Sequence, residues 1–198
     1  MKLVLFDFDG TLTHQDMFTK FILYSATPPR LLLGLVFMSP LYLLYKLGLI
    51  PARKLRPFVS FFAFAGRSEH KVSAIGEAYA HRVIPSSLRA DMLQTLRRHQ
   101  ADGATVVLVS ASLDLYLKPW CKTMGIALIC SEMAVDGRRY NGHYSGGDCS
   151  CEAKAYKVSQ EFDLSRYSQI YAYGDTKEDL AMLALADKAF MNGIEHPL

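Results

Sequence analysis

The sequence predicts an α/β protein: a parallel sheet flanked by helices, with an all-helical segment inserted near its start. Three observations point there. Residues 2–6 (KLVLF), 105–109 (TVVLV) and 169–173 (QIYAY) are short apolar runs without alternation, the pattern of strands buried on both faces. Helical periodicities separate the later runs, so strand and helix alternate. Residues 14–85 show no strand pattern, and their nine Lys/Arg against three acids give +6 in a chain whose net charge is +3.

Each element follows from local signals, in chain order. The first apolar run ends in Asp7-Phe8-Asp9-Gly10-Thr11. Residues 14–85 then read as three or four helices broken at Pro28-Pro29, Pro40 and Pro51, because proline removes a donor and disfavours helix in the residue before it. A helix is expected over 87–100, the second strand over 105–109, and a helix over 113–124 stopped by Gly125. A fourth strand is expected over 126–130, and Asp136-Gly137 marks a small hairpin. Helices over 151–162 and 177–186 flank the last apolar run, and right-handed crossovers link the strands. The domain organisation expected is a core from residues 1–13 and 86–198, with 14–85 as a separate helical lobe.

Composition bounds the function. At 198 residues, 51% hydrophobic and 21% charged, the chain can bury a core without metal or disulfide staples. The cysteines Cys121, Cys130, Cys149 and Cys151 form no CxxC pair, which argues against a zinc site and for reduced thiols in the cytoplasm. Four apolar residues before Asp7 are too few for an export signal. The most apolar stretch, residues 31–45, has 15 residues without a charge but contains Pro40, and is too short to span a bilayer. Basic residues do not interleave with aromatics in a nucleic-acid pattern.

All three apolar runs end in polar groups: Asp7, Ser110, and Gly174-Asp175. Ligands of open parallel sheets bind outside the carboxyl ends of the strands, so these groups should ring one crevice. Asp7 and Asp9, two apart, point to the same side of an extended segment. Asp175, and Asp179 one helical turn later, add negative charge. A phosphate substrate would bring roughly −2 more. Such a crowd of anions needs a divalent cation, and oxygen-only ligands favour Mg²⁺.

Asp7-x-Asp9-Gly10-Thr11, Ser110, a helix-borne Lys154 and Gly174-Asp175-x-x-x-Asp179 resemble, in order and spacing, the four motifs of haloacid-dehalogenase-like (HAD) phosphatases. The resemblance implies a Rossmann-like sheet and assigns roles. Asp7 is the nucleophile that accepts the phosphoryl group, and Asp9 the general acid and then base. Thr11, Ser110, Ala111 and Lys154 hold substrate and phosphate. The carboxylates of Asp7 and Asp175, the Asp9 carbonyl and Asp179 hold Mg²⁺. Two alternatives stay open. Thr176-Lys177-Glu178-Asp179 is also a capping-box pattern, and Lys157 shares a helical face with Lys154.

An all-helical insert directly after the first motif resembles the lid of the phosphoserine-phosphatase-like branch. Residues 11–16 and 109–116 are also similar to phosphatidylglycerophosphatase C-like members. Asp16 stands where phosphoserine phosphatases carry a Glu that meets the substrate amine. The partner expected is therefore a phosphorylated small molecule or a lipid head group. The basic, apolar lobe is expected either to be the core of a small lid or also to touch an anionic membrane, with Arg53 and Arg56 as substrate contacts by charge. A catalytically idle membrane-binding module is the reading from another class, and the intact set of acids opposes it.

Overall fold

A computed structural model describes residues 1–197, without the side chain of Leu35. The chain opens with strand β1 (Lys2–Phe6) and passes through four helices, α1 (Met17–Ser25), α2 (Pro28–Lys46), α3 (Ala52–Phe64) and α4 (Glu69–Arg82). It returns through a short 3₁₀ turn at Ile84–Ser87 to α5 (Ala90–Ala101), β2 (Thr105–Leu113), α6 (Asp114–Met124) and β3 (Ala127–Ser131). A hairpin follows, β4 (Met133–Asp136) and β5 (Arg139–Tyr144), then α7 (Glu152–Glu161) and β6 (Gln169–Gly174). The chain ends in the one-turn α8 (Leu180–Leu183), β7 (Lys188–Met191) and β8 (Ile194–His196).

The main sheet runs β3-β2-β1-β6-β7-β8, parallel throughout except for the last pair. This is the Rossmann-like α/β sheet expected from the apolar runs. β1 lies at its centre, with Leu5 beside Val107 on one side and Ala172 on the other. Side chains alternate between two cores. Val4, Phe6, Val106 and Leu108 face Leu12, Met17, Phe21 and Trp120, whereas Leu3, Leu5, Val107 and Val109 face Val158, Met182 and Leu183. Each such side chain contributes about 1.5–3 kcal/mol on burial. The helical insert is continuous with the first core. Phe21 of α1 packs its ring 5.1 Å from Tyr79 of α4 and 4.7 Å from Tyr116 of α6. Gly76 lets α4 approach the Leu115 carbonyl so closely that a β-carbon there would collide with it.

Several boundaries differ from expectation. Pro40 does not break α2, which continues to Lys46 with a bend of 49° between Gly34 and Val36. The bend lies beside Gly34 and about one turn before Pro40, whose missing N–H leaves one ladder bond unmade. The helix expected from residue 87 starts at Ala90, because Thr13 bridges Leu88 and the Arg89 N–H donates to the Leu12 carbonyl. Strand β2 runs past Ser110 to Leu113. The helix expected over 177–186 is a 3₁₀ turn, Lys177–Asp179, followed by one α-turn. The last two strands, β7 and the edge strand β8, had no apolar signature strong enough to announce them.

Candidate active site

The central strand carries its polar end into the crevice by continuing its pairing one residue beyond β1: the Asp7 N–H donates to the Tyr173 carbonyl at 2.9 Å. The chain then turns tightly, with the N–H groups of Leu12 and Thr13 both donating to the Phe8 carbonyl. Gly10 makes that turn possible. Its φ is +82°, and a β-carbon would collide with the Asp175 carboxylate. The two loops that close on each other at this glycine are those ending β1 and β6.

Four carboxylates and one ammonium meet here. Lys154, on the first turn of α7, is 2% exposed, and its Nζ donates to Asp7 Oδ1 at 2.5 Å and Asp179 Oδ1 at 2.6 Å. Lys157 points elsewhere, donating to the Cys130 carbonyl at 3.2 Å. Asp179 also ties down the loop after β6, its Oδ2 accepting the N–H groups of Asp175 at 3.1 Å and Thr176 at 3.0 Å. The capping box on Thr176 is therefore present, and the same side chain still offers an oxygen to the acidic cluster. Gly174 leaves room for it, since a β-carbon there would lie 2.6 Å from that of Asp179.

Asp9 is held differently. Its Oδ1 accepts the Met17 N–H at 2.6 Å, at the first residue of α1, and its Oδ2 accepts the Ser112 hydroxyl. Thr11 is buried and donates to Asp175 Oδ1 at 3.5 Å. Ser110 is fully buried, with its hydroxyl oxygen accepting the Ser112 N–H at 3.0 Å, so it supports the loop. Ala111 and Ser112 line the crevice. Ser112 was missed on the sequence. Its signal was the Ser-x-Ser alternation after the second apolar run, which puts two hydroxyls on one side of an extended chain.

The charges are strongly perturbed. Burial pushes Asp7 up to about 8, helped by the neighbouring Asp179 and Asp9 charges and opposed by Lys154. Burial likewise raises Asp9 to about 6 against the Ser112 hydrogen bond, and Asp175 to about 6 with help from Asp179. Burial alone would lower the Lys154 ammonium, but Asp7 and Asp179 outweigh it and hold it above the usual range. Asp179 is pushed up by burial yet ends below the usual carboxylate range because of Lys154.

One ammonium against four acids leaves net negative charge, the condition a cation would relieve. Carboxylate oxygens of Asp7, Asp175 and Asp179 lie within 4.8 Å of one another. An all-oxygen, anionic donor set fits a hard divalent ion. The acids open into a cavity of about 710 Å³ whose other walls come from the insert: Phe18 and Ile22 of α1, Tyr42 and Tyr45 of α2, Leu55 and Arg56 of α3. Arg56 joins insert to core, donating to Asp148 at 2.9 Å and to Glu178 at 2.7 Å, while Arg53 makes only a loose surface contact with Glu152.

The model of the haloacid dehalogenase-like hydrolases matches residues 4–184. The chain belongs to that family. It is 35% identical over 196 residues to protein CicA of Caulobacter vibrioides, covering 94% of this chain and 83% of that protein. It is 30% identical over 122 residues to a histidinol-phosphatase of Neisseria meningitidis, covering 57% of this chain and 53% of that one. Its fold superposes on a substrate-bound phosphoserine phosphatase with a TM-score of 0.67 at 15% identity, over 95% of this chain and 84% of the other. The expectation of a member of the HAD family is borne out by the family match, and the phosphoserine phosphatase shares its fold.

Proposed function

We propose that this HAD hydrolase is a Mg²⁺-dependent phosphomonoesterase that works through a phosphorylated Asp7 and acts on a lipid-linked phosphate such as phosphatidylglycerophosphate. The observation that carries the catalytic reading is the pairing of Lys154 with both Asp7 and Asp179, beside an Asp9 whose carboxylate is fixed by Met17 N–H and Ser112. In the first step an Asp7 oxygen bonds to phosphorus while the ester P–O bond breaks, and Asp9 gives its proton to the departing alkoxide. In the second, Asp9 takes a proton from water. The resulting hydroxide bonds to phosphorus, the bond to Asp7 breaks, and inorganic phosphate leaves.

Burial keeps Asp9 protonated more readily than an ordinary carboxyl, which suits the first step. Lys154 orients Asp7 and neutralises part of the gathering charge, which is what phosphoryl transfer mainly demands. Thr11, Ser110 and Ala111 shape the loops around the phosphate. The side chains of Asp7, Asp175 and Asp179, with the Asp9 carbonyl, would hold the cation, which when bound supplies Lewis-acid charge neutralisation. Residues 14–85 form the lid that keeps water from the phosphoaspartate.

Two features favour a lipid ester over phosphoserine. The cavity wall facing the acids is largely apolar. The Asp16 carboxylate, where an amine-recognising acid would sit, is spent on capping α1, accepting the Thr19 N–H at 3.2 Å and its hydroxyl at 2.5 Å. The working location that follows is the cytoplasmic side of a membrane. The catalytic reading is tested by p-nitrophenyl phosphate turnover of wild type and Asp7→Asn, with Mg²⁺ and after EDTA. Equal rates for the two proteins would overturn it. Comparing phosphatidylglycerophosphate in vesicles with phosphoserine decides the substrate class, and preference for the soluble ester removes the lipid reading.

A further inference from the structure

Helix α2 is anomalous for a helix at a protein surface. Its 19 residues contain no charge between Arg30 and Lys46, and its apolar residues do not gather on the side facing the protein. Leu32, Val36, Leu43 and Leu47 are each 59–67% exposed. The following turn adds Leu49, 68% exposed, and α3 adds Phe58, 57% exposed. Scattered exposed leucines need no explanation, but a whole helix and turn of them marks a covered surface.

We propose that the α2–α3 hairpin seats itself in the surface of an anionic lipid bilayer, with the mouth of the catalytic cavity opening at the lipid interface. Three observations choose a bilayer as the occupant. First, the charges carried by the hairpin itself are all positive: Lys46, Arg53 and Lys54 are exposed, and no acid occurs between Asp16 and Glu69, the exposed acid beside them being Glu152 of α7, 3.9 Å from Arg53. That is the charge pattern that binds an anionic interface. Second, Tyr42 and Tyr45 stand on the side of α2 nearest the cavity, half-exposed, with the Lys46 ammonium 5.5 Å from the Tyr42 ring. Tyrosine with flanking lysine is the pairing that settles at the boundary between acyl chains and water. Third, among the described residues no single helix is long and apolar enough to cross a membrane; α2, apolar on all sides, meets that test only as a pair bent by 49°, the form of a re-entrant segment that enters and leaves by one leaflet.

Tyr42 and Tyr45 belong to both the patch and the cavity wall, so the seat and the site are continuous. A phosphate on a lipid head group would reach the acids while its acyl chains stay in the leaflet. This part rests on the proposed phosphatase function. The docking itself does not, and its assay uses no turnover.

The test is flotation of the full chain with phosphatidylcholine vesicles with and without phosphatidylglycerol, for wild type and the Val36→Glu/Leu43→Glu/Leu47→Glu variant. These side chains face water and lie outside the catalytic cluster, so p-nitrophenyl phosphate turnover should be unchanged. The expected result is flotation of wild type with the anionic vesicles and a loss of at least about tenfold in the bound fraction for the variant. Absence of wild-type flotation, or equal flotation of the variant, overturns the proposal. So does a wild-type dimer in analytical ultracentrifugation that the variant dissolves, since a second copy would then cover the patch. A chain that floats but does not turn over substrate leaves the docking standing and refutes the catalytic reading instead.

Discussion

Replacing Lys154 with Met separates what this lysine does for folding from what it does for turnover. The side chain is 2% exposed and touches Asp7 at 2.5 Å and Asp179 at 2.6 Å. Methionine replaces its apolar stem but leaves two buried carboxylates without their common partner. Removing one member of a buried ion pair costs about 3–5 kcal/mol, because the remaining charge is stranded in a poorly solvating site. For a chain of this size each kcal/mol lowers Tm by about 2–4 °C, so a fall of roughly 6–20 °C is expected by calorimetry in EDTA. Mg²⁺ should restore part of that loss, since a ligand that binds only the folded state stabilises it. The double variant Lys154→Met/Asp179→Asn removes one stranded charge and should recover a large share of the stability.

Turnover should behave differently. If Lys154 steadies charge during phosphoryl transfer, its loss lowers kcat by about 10²- to 10³-fold, the scale for removing one preorganised donor. The double variant cannot regain this, because the ammonium beside Asp7 has not been restored. The assay is initial rate of phosphate release well below the Tm of each variant. A Lys154→Met protein as stable as wild type in EDTA would refute the electrostatic account of the cluster. A double variant with wild-type kcat would refute the role given to the lysine in catalysis.

Ser112→Ala removes one of the two donors that fix Asp9. A hydrogen bond to a charged group is worth about 1.5–3 kcal/mol, so kcat should fall roughly 10- to 100-fold with KM little changed; equal loss in both constants would mean that the loop itself had moved. Asp114, at the start of α6, tests the electrostatics of the fold away from the site. Burial raises it from an ordinary 3.8 to about 6, although the Met133 N–H donates to it. Its folded form binds a proton more tightly than its unfolded form, so its stabilisation is full below 3.8 and is lost as pH rises through 6. Asp114→Asn keeps the acceptor and removes the charge. It should gain about 1–3 kcal/mol near pH 8 in urea unfolding and nothing below about pH 4; a gain that does not vary with pH would count against burial as the cause.

What could be read from the sequence follows from the range of the interactions involved. The three apolar runs and the polar groups that end them are local patterns, since burial on both faces dictates composition and the strand end dictates where side chains emerge. Asp7, Asp9 and Asp175 could be placed at one crevice on that basis alone. The choice between Lys154 and Lys157 could not, because it depends on the phase at which α7 begins. That phase is set by Cys151, whose φ of 53° is a left-handed conformation that no residue pattern announced in a cysteine. It starts the helix so that residue 154 points back toward β1. Ser112 was hidden for a related reason: β2 continues four residues past the point where its apolar run stops, carrying a second hydroxyl to Asp9. The Arg56 pairs with Asp148 and Glu178 join residues 92 and 122 positions apart, and β7 and β8 pair at an edge with little apolar surface. Both exist only once the sheet has assembled. The least legible features are thus the ones that fix angles and join insert to core, and the phosphoryl transfer proposed for this site would be sensitive to those before it is sensitive to which acids are present.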